Sequence, residues 1–118
     1  MSLEILYTSF YSYFLGSIPF GLILTKFFLD KDLRNVGSGN IGATNVLRTG
    51  KKSLGALTLF LDSLKAYVTI IATYKYFTDY IYLSALLCFL GHIFPIWLNF
   101  KGGKGIAVFL GVLFALSI

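Results

Sequence analysis

The feature that most constrains this chain is a series of long apolar segments with very little charge. Residues 5–25 form the first of them, a run of 21 residues without a charged side chain. A helix that crosses the hydrocarbon core of a bilayer needs about 20 consecutive apolar residues. Two further segments of similar length follow later in the chain. The sequence therefore predicts a polytopic helical membrane protein.

The composition supports this class. Of the 118 residues, 57% are hydrophobic and 13% are charged, whereas a soluble domain carries about 25% charged residues. We therefore assign the formal charge of +5 to basic residues beside the membrane and not to binding of nucleic acid. Cys88 is the only cysteine, which excludes an intrachain disulfide. No spacing of ligand residues indicates a metal, and we expect no cofactor.

The expected fold is an all-α membrane helix bundle with three full transmembrane helices and a partial fourth. We place the full spans at residues 5–29, 54–74 and 80–100, and the partial one at residues 106–118. The last segment is about 20 Å long as a helix, which is shorter than the hydrocarbon core of about 30 Å. We interpret residues 1–118 as a single membrane domain and an N-terminal fragment of a longer protein. The alternative is a short last helix that packs against a partner.

The distribution of basic residues predicts the orientation. Cytoplasmic loops carry an excess of Lys and Arg, and eight of the ten Lys and Arg residues flank or lie in the connections after the first and third spans. We therefore expect these connections to be cytoplasmic and the N-terminus to lie outside. The eight residues are Lys26, Lys31, Arg34, Arg48, Lys51, Lys52, Lys101 and Lys104.

The first of these connections contains a glycine-rich segment at residues 35–52, which we call the first glycine loop. Its G-x-G-x-x-G pattern is not a dinucleotide fingerprint, because that motif requires a strand that turns into a helix. Glycines do allow successive N–H groups to form an anion-binding nest, and an arginine fork suits phosphate. The alternative is a flexible loop of ordinary turn residues. The candidate anion-binding residues are Gly37, Ser38, Gly39, Asn40, Gly42, Thr44, Asn45 and Arg48.

Residues 101–105 form the second glycine loop, directly before the fourth span. Glycines and lysines at a helix N-terminus again suit an anion, although this loop is also typical of a basic membrane anchor. Two such loops on one face predict a site for two phosphates, or for one phosphate approached from two sides. The residues are Lys101, Gly102, Gly103, Lys104 and Gly105.

Asp62, Lys65 and His92 stand out among the residues of the predicted spans. Asp62 and Lys65 fall three residues apart on one face of the second span, and intramembrane charges usually face a bundle interior or a watery cavity. They form either a polar wall of the site or a structural ion pair between helices. His92 in the third span is either a packing residue or a site residue.

Together these segments resemble a known family. Residues 37–48 are similar to the first signature of the bacterial acyl-phosphate:glycerol-3-phosphate acyltransferases, the PlsY family. The Asp62-x-x-Lys65 pair resembles an element of the helix that follows this signature in the family. Gly91-His92 with residues 100–105 resembles the family's second signature. The order and spacing match over essentially the whole chain.

The resemblance implies a multi-pass enzyme of the bacterial plasma membrane with about seven spans and a cytoplasmic active site. Such enzymes transfer a fatty acyl group from acyl phosphate, and not from acyl-CoA, to the 1-hydroxyl of glycerol 3-phosphate, which gives lysophosphatidate. Membrane lipids are the other partners. The resemblance makes Ser38 and Arg48 catalytic. It assigns substrate binding to Gly37, Gly39, Asn40, Gly42, Asn45, Lys65, His92, Lys101, Gly102, Gly103, Lys104 and Gly105.

Several alternatives stay open from the sequence. Ser38 either orients the attacking hydroxyl or forms an acyl-enzyme, and we favour orientation because no partner base is visible. The alternatives to the enzyme are part of an anion or phosphate transporter, and a non-catalytic fragment that serves as a packing partner.

Overall fold

The computed structural model describes residues 3–117, whose regular structure is entirely helical. Three stretches are long and apolar enough to cross a membrane, namely Leu3–Leu29, Lys52–Tyr76 and Thr78–Leu98, and Ile106–Leu116 is a shorter apolar helix. The predicted all-α membrane bundle is confirmed, although Ile118, the predicted end of the fourth span, lies outside the described residues. The helices are α1 Leu3–Gly16, α2 Phe20–Leu29, α3 Ala43–Leu47, α4 Lys52–Tyr76, α5 Ile81–Ile93 and α6 Ile106–Leu116.

Helix α4 is the centre of the bundle and contacts each of the other five helices. Its buried face carries small and hydroxyl side chains, and three threonines on it donate hydrogen bonds to the carbonyl four residues earlier. Its exposed face carries large apolar residues such as Phe60 and Val68. This arrangement suits a bilayer, where close packing of small residues holds helices together and lipid covers the large apolar side chains.

Glycines allow α1 and α5 to pack backbone against backbone. A Cβ atom added to Gly16 would lie 2.1 Å from the carbonyl oxygen of Cys88, and one added to Gly91 would lie 2.1 Å from that of Tyr13. A hydrogen bond of 2.7 Å joins Ser12 Oγ and Ser84 Oγ in the same interface. Small and hydroxyl residues therefore replace apolar side chains in this contact.

The first span, predicted at residues 5–29 and found at Leu3–Leu29, is built from two helices. Helix α1 ends at Gly16 and α2 begins at Phe20, because Pro19 has no N–H group and disfavours helical geometry in the preceding residue. A backbone break within a membrane is stable only where other groups bond the freed carbonyls. Here Trp97 Nε1 donates to the carbonyl of Ser17 at 2.9 Å, and Lys65 Nζ donates to that of Ile18 at 2.8 Å.

The third span, predicted at residues 80–100 and found at Thr78–Leu98, is interrupted in the same way. Helix α5 ends at Ile93, two residues before Pro95, and a short 3₁₀ turn follows at Ile96–Leu98. Tyr13 Oη donates to the carbonyl of Phe94 at 2.5 Å. The two breaks lie side by side, because Trp97 of the second bonds the carbonyl of Ser17 in the first, and Tyr13 of α1 bonds a carbonyl of the second.

The packing of α1 on α5 leads to a test. We expect Gly91→Ala to lower the free energy of unfolding by about 1–3 kcal/mol, because overpacking forces a backbone shift and the nearest atom is a main-chain carbonyl oxygen. Thermal unfolding in detergent, followed by circular dichroism, measures the change. Ala56→Val, at an exposed position of α4, is the control and should leave the midpoint within error. An equal effect of both substitutions would contradict the packing.

Candidate active site

Asn45 organises the first glycine loop. Its side chain is 1% exposed, and its Nδ2 group donates to three backbone carbonyls, those of Leu33 at 3.2 Å, Val36 at 2.8 Å and Asn40 at 2.8 Å. Gly37 must be glycine here, because its φ is +50° and a Cβ atom would lie 2.5 Å from Asn45 Oδ1. The Asn45 amide therefore holds the loop backbone, and its donors are not free for a substrate.

Ion pairs use some of the basic residues around this loop. Arg34 forms a fork with Asp32, with Nε at 3.0 Å from Oδ1 and Nη2 at 2.7 Å from Oδ2. These hydrogen bonds lower the pKa of the Asp32 carboxyl from 3.8 to about 2, because they favour its charged form. Lys26 pairs with Asp30 at 3.1 Å. Neither Arg34 nor Lys26 is therefore an unpaired cation for an anionic ligand.

The second glycine loop is fastened to the end of α5. The N–H of Gly102 donates to the carbonyl of Ile93 at 2.8 Å, and that of Gly103 donates to the carbonyl of His92 at 3.1 Å. A Cβ atom on Gly103 would lie 2.4 Å from His92 Nε2. We expected this loop to suit an anion, and in the structure these two N–H groups bond carbonyls. Glycine is needed there for close approach to α5.

Asp62, Lys65 and His92 form one buried cluster. Lys65 Nζ lies 3.3 Å from Asp62 Oδ1 and 3.0 Å from His92 Nδ1. The ion pair joins two residues of α4 and not two helices, and the cluster extends to α5 through the histidine. An ammonium group donates only, so His92 Nδ1 accepts and the proton of the neutral ring is on Nε2. The histidine is therefore held in one tautomer, with its N–H group directed away from Lys65.

The two glycine loops and α4 enclose a cavity of about 180 Å³. Arg48 and Lys104 supply positive charge, and neither is in an ion pair with another residue of the described chain. Asp62 supplies the only carboxylate of the lining found among residues 3–117. The predicted site residues that line the cavity are Ser38, Asn40, Gly42, Asn45, Arg48, His92, Lys104 and Gly105.

Six predicted residues do not line this cavity. Lys65 lies behind Asp62 and His92, and Lys101 is exposed to solvent. Gly37 and Gly39 have positive φ angles that shape the first loop, and Gly102 and Gly103 pack on α5. The four glycines therefore shape the walls, and the substrate-binding role expected of all six residues stays a prediction.

Other lining residues were missing from the predicted site. The sequence contains a signal for Leu59, because it lies one helical turn before Asp62 and residues at i and i+3 share a face. No sequence signal identifies the α6 residues, because only the crossing of α6 over α4 brings them to the cavity. The lining residues that the sequence did not indicate are Ala43, Leu59, Ile106 and Ala107, whereas Thr44 and Asp62, which it did indicate, also line the cavity.

Comparison with known proteins agrees with this arrangement. The model of the family described as glycerol-3-phosphate acyltransferase matches residues 6–118. The glycerol-3-phosphate acyltransferase of Pelagibacter ubique is 57% identical over 116 residues, which cover 98% of this chain and 61% of that protein. The one from Rhodopseudomonas palustris is 59% identical over 105 residues, or 88% and 53% of the two chains. The chain thus spans about three fifths or less of the length of these curated relatives.

Two solved structures have the same fold. Both are crystal structures of PlsY, an integral membrane glycerol 3-phosphate acyltransferase. The glycerol 3-phosphate form superposes with a TM-score of 0.88 at 45% identity and covers 96% of this chain and 57% of its own. The lysophosphatidic acid form gives a TM-score of 0.85 at 41% identity, with the same coverage.

The role of Asn45 can be tested separately from catalysis. Asn45→Asp removes both amide hydrogens and turns a negative charge toward three carbonyls, so we expect a loss of about 3 kcal/mol in the stability of the loop. Hydrogen exchange of residues 36–42 and trypsin cleavage after Arg34 measure that loss. Asn35→Asp is the matched control, because Asn35 is exposed in the same loop. Equal protection in both variants would show that Asn45 does not organise the loop.

Proposed function

Because this chain belongs to the glycerol-3-phosphate acyltransferase family, we propose that the protein transfers a fatty acyl group from acyl phosphate to the 1-hydroxyl of glycerol 3-phosphate. The products are lysophosphatidate and inorganic phosphate, which makes this a reaction of phospholipid biosynthesis. The observation that carries the proposal is the cavity where both glycine loops meet, with the two unpaired cations Arg48 and Lys104 in its wall.

The chemistry needs positioning and charge stabilisation more than a strong nucleophile. Acyl phosphate is a mixed anhydride, so the hydroxyl oxygen attacks the acyl carbon, the bond from that carbon to the phosphate oxygen breaks, and phosphate leaves with the bonding electrons. The proton of the hydroxyl passes to the departing phosphate. Arg48 offers a planar fork for phosphate oxygens, and Lys104 adds a point charge. Together they stabilise the negative charge that grows on the departing phosphate.

Ser38 is the proposed orienting residue for the substrates. Its Oγ accepts a hydrogen bond of 3.3 Å from the N–H of Asn40, so its own hydroxyl hydrogen is available to a ligand. Within residues 3–117 no basic side chain hydrogen-bonds to Ser38, which supports orientation over formation of an acyl-enzyme. His92 Nε2 offers a second neutral donor from α5.

The acyl chain fits an apolar groove between α4 and α6 that continues the polar cavity. Leu59 and Ala107 line the cavity, and one turn further along the same helices Ser63 and Leu110 line the groove. The groove encloses about 620 Å³, and its walls are mostly apolar. The polar cavity therefore suits the phosphate head of such a ligand, and the adjacent apolar groove suits its fatty tail, which points toward lipid.

We place the protein in the bacterial plasma membrane with its N-terminus outside and both glycine loops in the cytoplasm. Eight of the ten Lys and Arg residues flank or lie in the connections on the side of these loops, which supports this orientation by the positive-inside rule. The cavity then opens to the cytoplasm.

The proposed reaction predicts a specific loss of turnover. With the protein in lipid, acyl phosphate and labelled glycerol 3-phosphate, we expect Arg48→Ala to lower lysophosphatidate formation by about 10²–10³-fold, as for loss of one donor to a developing charge. Lys51→Ala is the control, because Lys51 is an exposed cation of the same loop that does not line the cavity. Equal losses in both variants, or product from acyl-CoA alone, would contradict the proposal.

The groove predicts a dependence on acyl-chain length. We expect Leu110→Trp to fill the groove and to reduce turnover of long-chain acyl phosphates more than that of short-chain ones. Leu113→Trp is the matched control on the same helix, because Leu113 is similarly exposed but does not line the groove. An identical chain-length profile for both variants would place the acyl chain elsewhere.

A further inference from the structure

Asp62 has a buried carboxylate whose partners do not account for it. The residue is 2% exposed and lines the cavity, and its Oδ1 accepts no hydrogen bond from any of residues 3–117. Within the described part of the chain, Oδ1 has one charged neighbour, Lys65 Nζ at 3.3 Å, whereas a carboxylate has about four acceptor positions, so acceptor capacity is left over. A carboxylate at a cavity wall is explained when a ligand supplies the missing donor.

Lys65 offsets the charge of Asp62 without removing its capacity to accept. Lys65 Nζ lies 3.3 Å from Oδ1 as an ion-pair partner, and it donates hydrogen bonds to the carbonyl of Ile18 and to His92 Nδ1. The ammonium is therefore held behind the carboxylate by groups on three separate segments of the chain. The pair adds no net charge to the cavity, but it presents an acceptor there.

The charges of the cavity are divided between two kinds of wall. Arg48 and Lys104 come from the glycine loops and are positive, whereas Asp62 comes from α4 and is negative. A phosphate is attracted to the two cations and repelled by the carboxylate. Both interactions are stronger in a low dielectric than in water. A ligand that satisfies all three side chains has an anionic group at one end and a hydroxyl donor at the other.

We propose that Asp62 accepts a hydrogen bond from a hydroxyl group of the bound polyol phosphate and thereby selects hydroxylated phosphate esters over plain alkyl phosphates. This inference rests on the proposed function and assigns the hydroxyl end of its acceptor substrate. A site that is built to bond a substrate hydroxyl discriminates strongly against an analogue without it, because its own buried group is then left unpaired.

The test compares two ligands and two proteins. The protein in lipid nanodiscs is titrated calorimetrically with glycerol 3-phosphate and with propyl phosphate, which has the phosphate and no hydroxyl. We expect the unchanged protein to bind glycerol 3-phosphate about 10- to 100-fold more tightly, as for a hydrogen bond to a charged group. Asp62→Asn should reduce this preference about tenfold or more, and the affinity for propyl phosphate should fall much less.

A second variant separates recognition from folding. Asp62→Asn leaves the Lys65 ammonium buried without its counter-charge, which destabilises proteins, so Asp62→Asn/Lys65→Met removes both charges together. Loss of the preference in every folded variant supports the inference. An unchanged preference in a variant, or equal binding of the two ligands by the unchanged protein, overturns it. If the unchanged protein binds neither ligand nor inorganic phosphate, the proposed function itself fails.

Discussion

The structure depends on one buried ammonium group, that of Lys65. It joins the break in the first span, through the carbonyl of Ile18, to Asp62 on α4 and to His92 on α5. A charge within a membrane is expensive unless it is paired and bonded, and removal of one partner from a buried pair costs about 3–5 kcal/mol. The three segments are therefore held at fixed positions around the Lys65 ammonium, because it is stable there only with its partners. Two of those partners, Asp62 and His92, also line the candidate site.

The two glycine loops reach the same cavity by different physical means. The first is organised from within by the Asn45 amide, which bonds three carbonyls of its own loop. The second is fastened from outside, because its glycines approach the end of α5 too closely for any side chain. Pairing of Arg34 and Lys26 with nearby carboxylates reduces the number of unpaired cations near the first loop. What reaches the cavity is Arg48 from one loop and Lys104 from the other.

The membrane explains why this small bundle leaves so many large apolar side chains exposed on its outer surface. Large apolar residues cover the outside of α4 and α6, and glycine, alanine, serine and threonine make many of the interior contacts beside Ile70, Val108 and Val112. Lipid solvates the large side chains, so their burial is not what holds the helices together. The same distribution leaves an apolar groove between α4 and α6, one helical turn from the polar cavity.

The sequence alone determined the membrane class, the number of spans and the two basic glycine loops on one face, because these follow from local runs of hydropathy and charge. It also indicated Asp62, Lys65 and His92 as unusual polar residues within spans. Only the tertiary structure decided that the spans break at Ser17–Pro19 and at Phe94. A proline interrupts a membrane helix only where other segments of the chain bond the freed carbonyls. Likewise, whether a glycine N–H binds an anion or a carbonyl depends on what packs against it, as Gly102 and Gly103 show against α5. These partners are distant in the chain, so no local pattern specifies them.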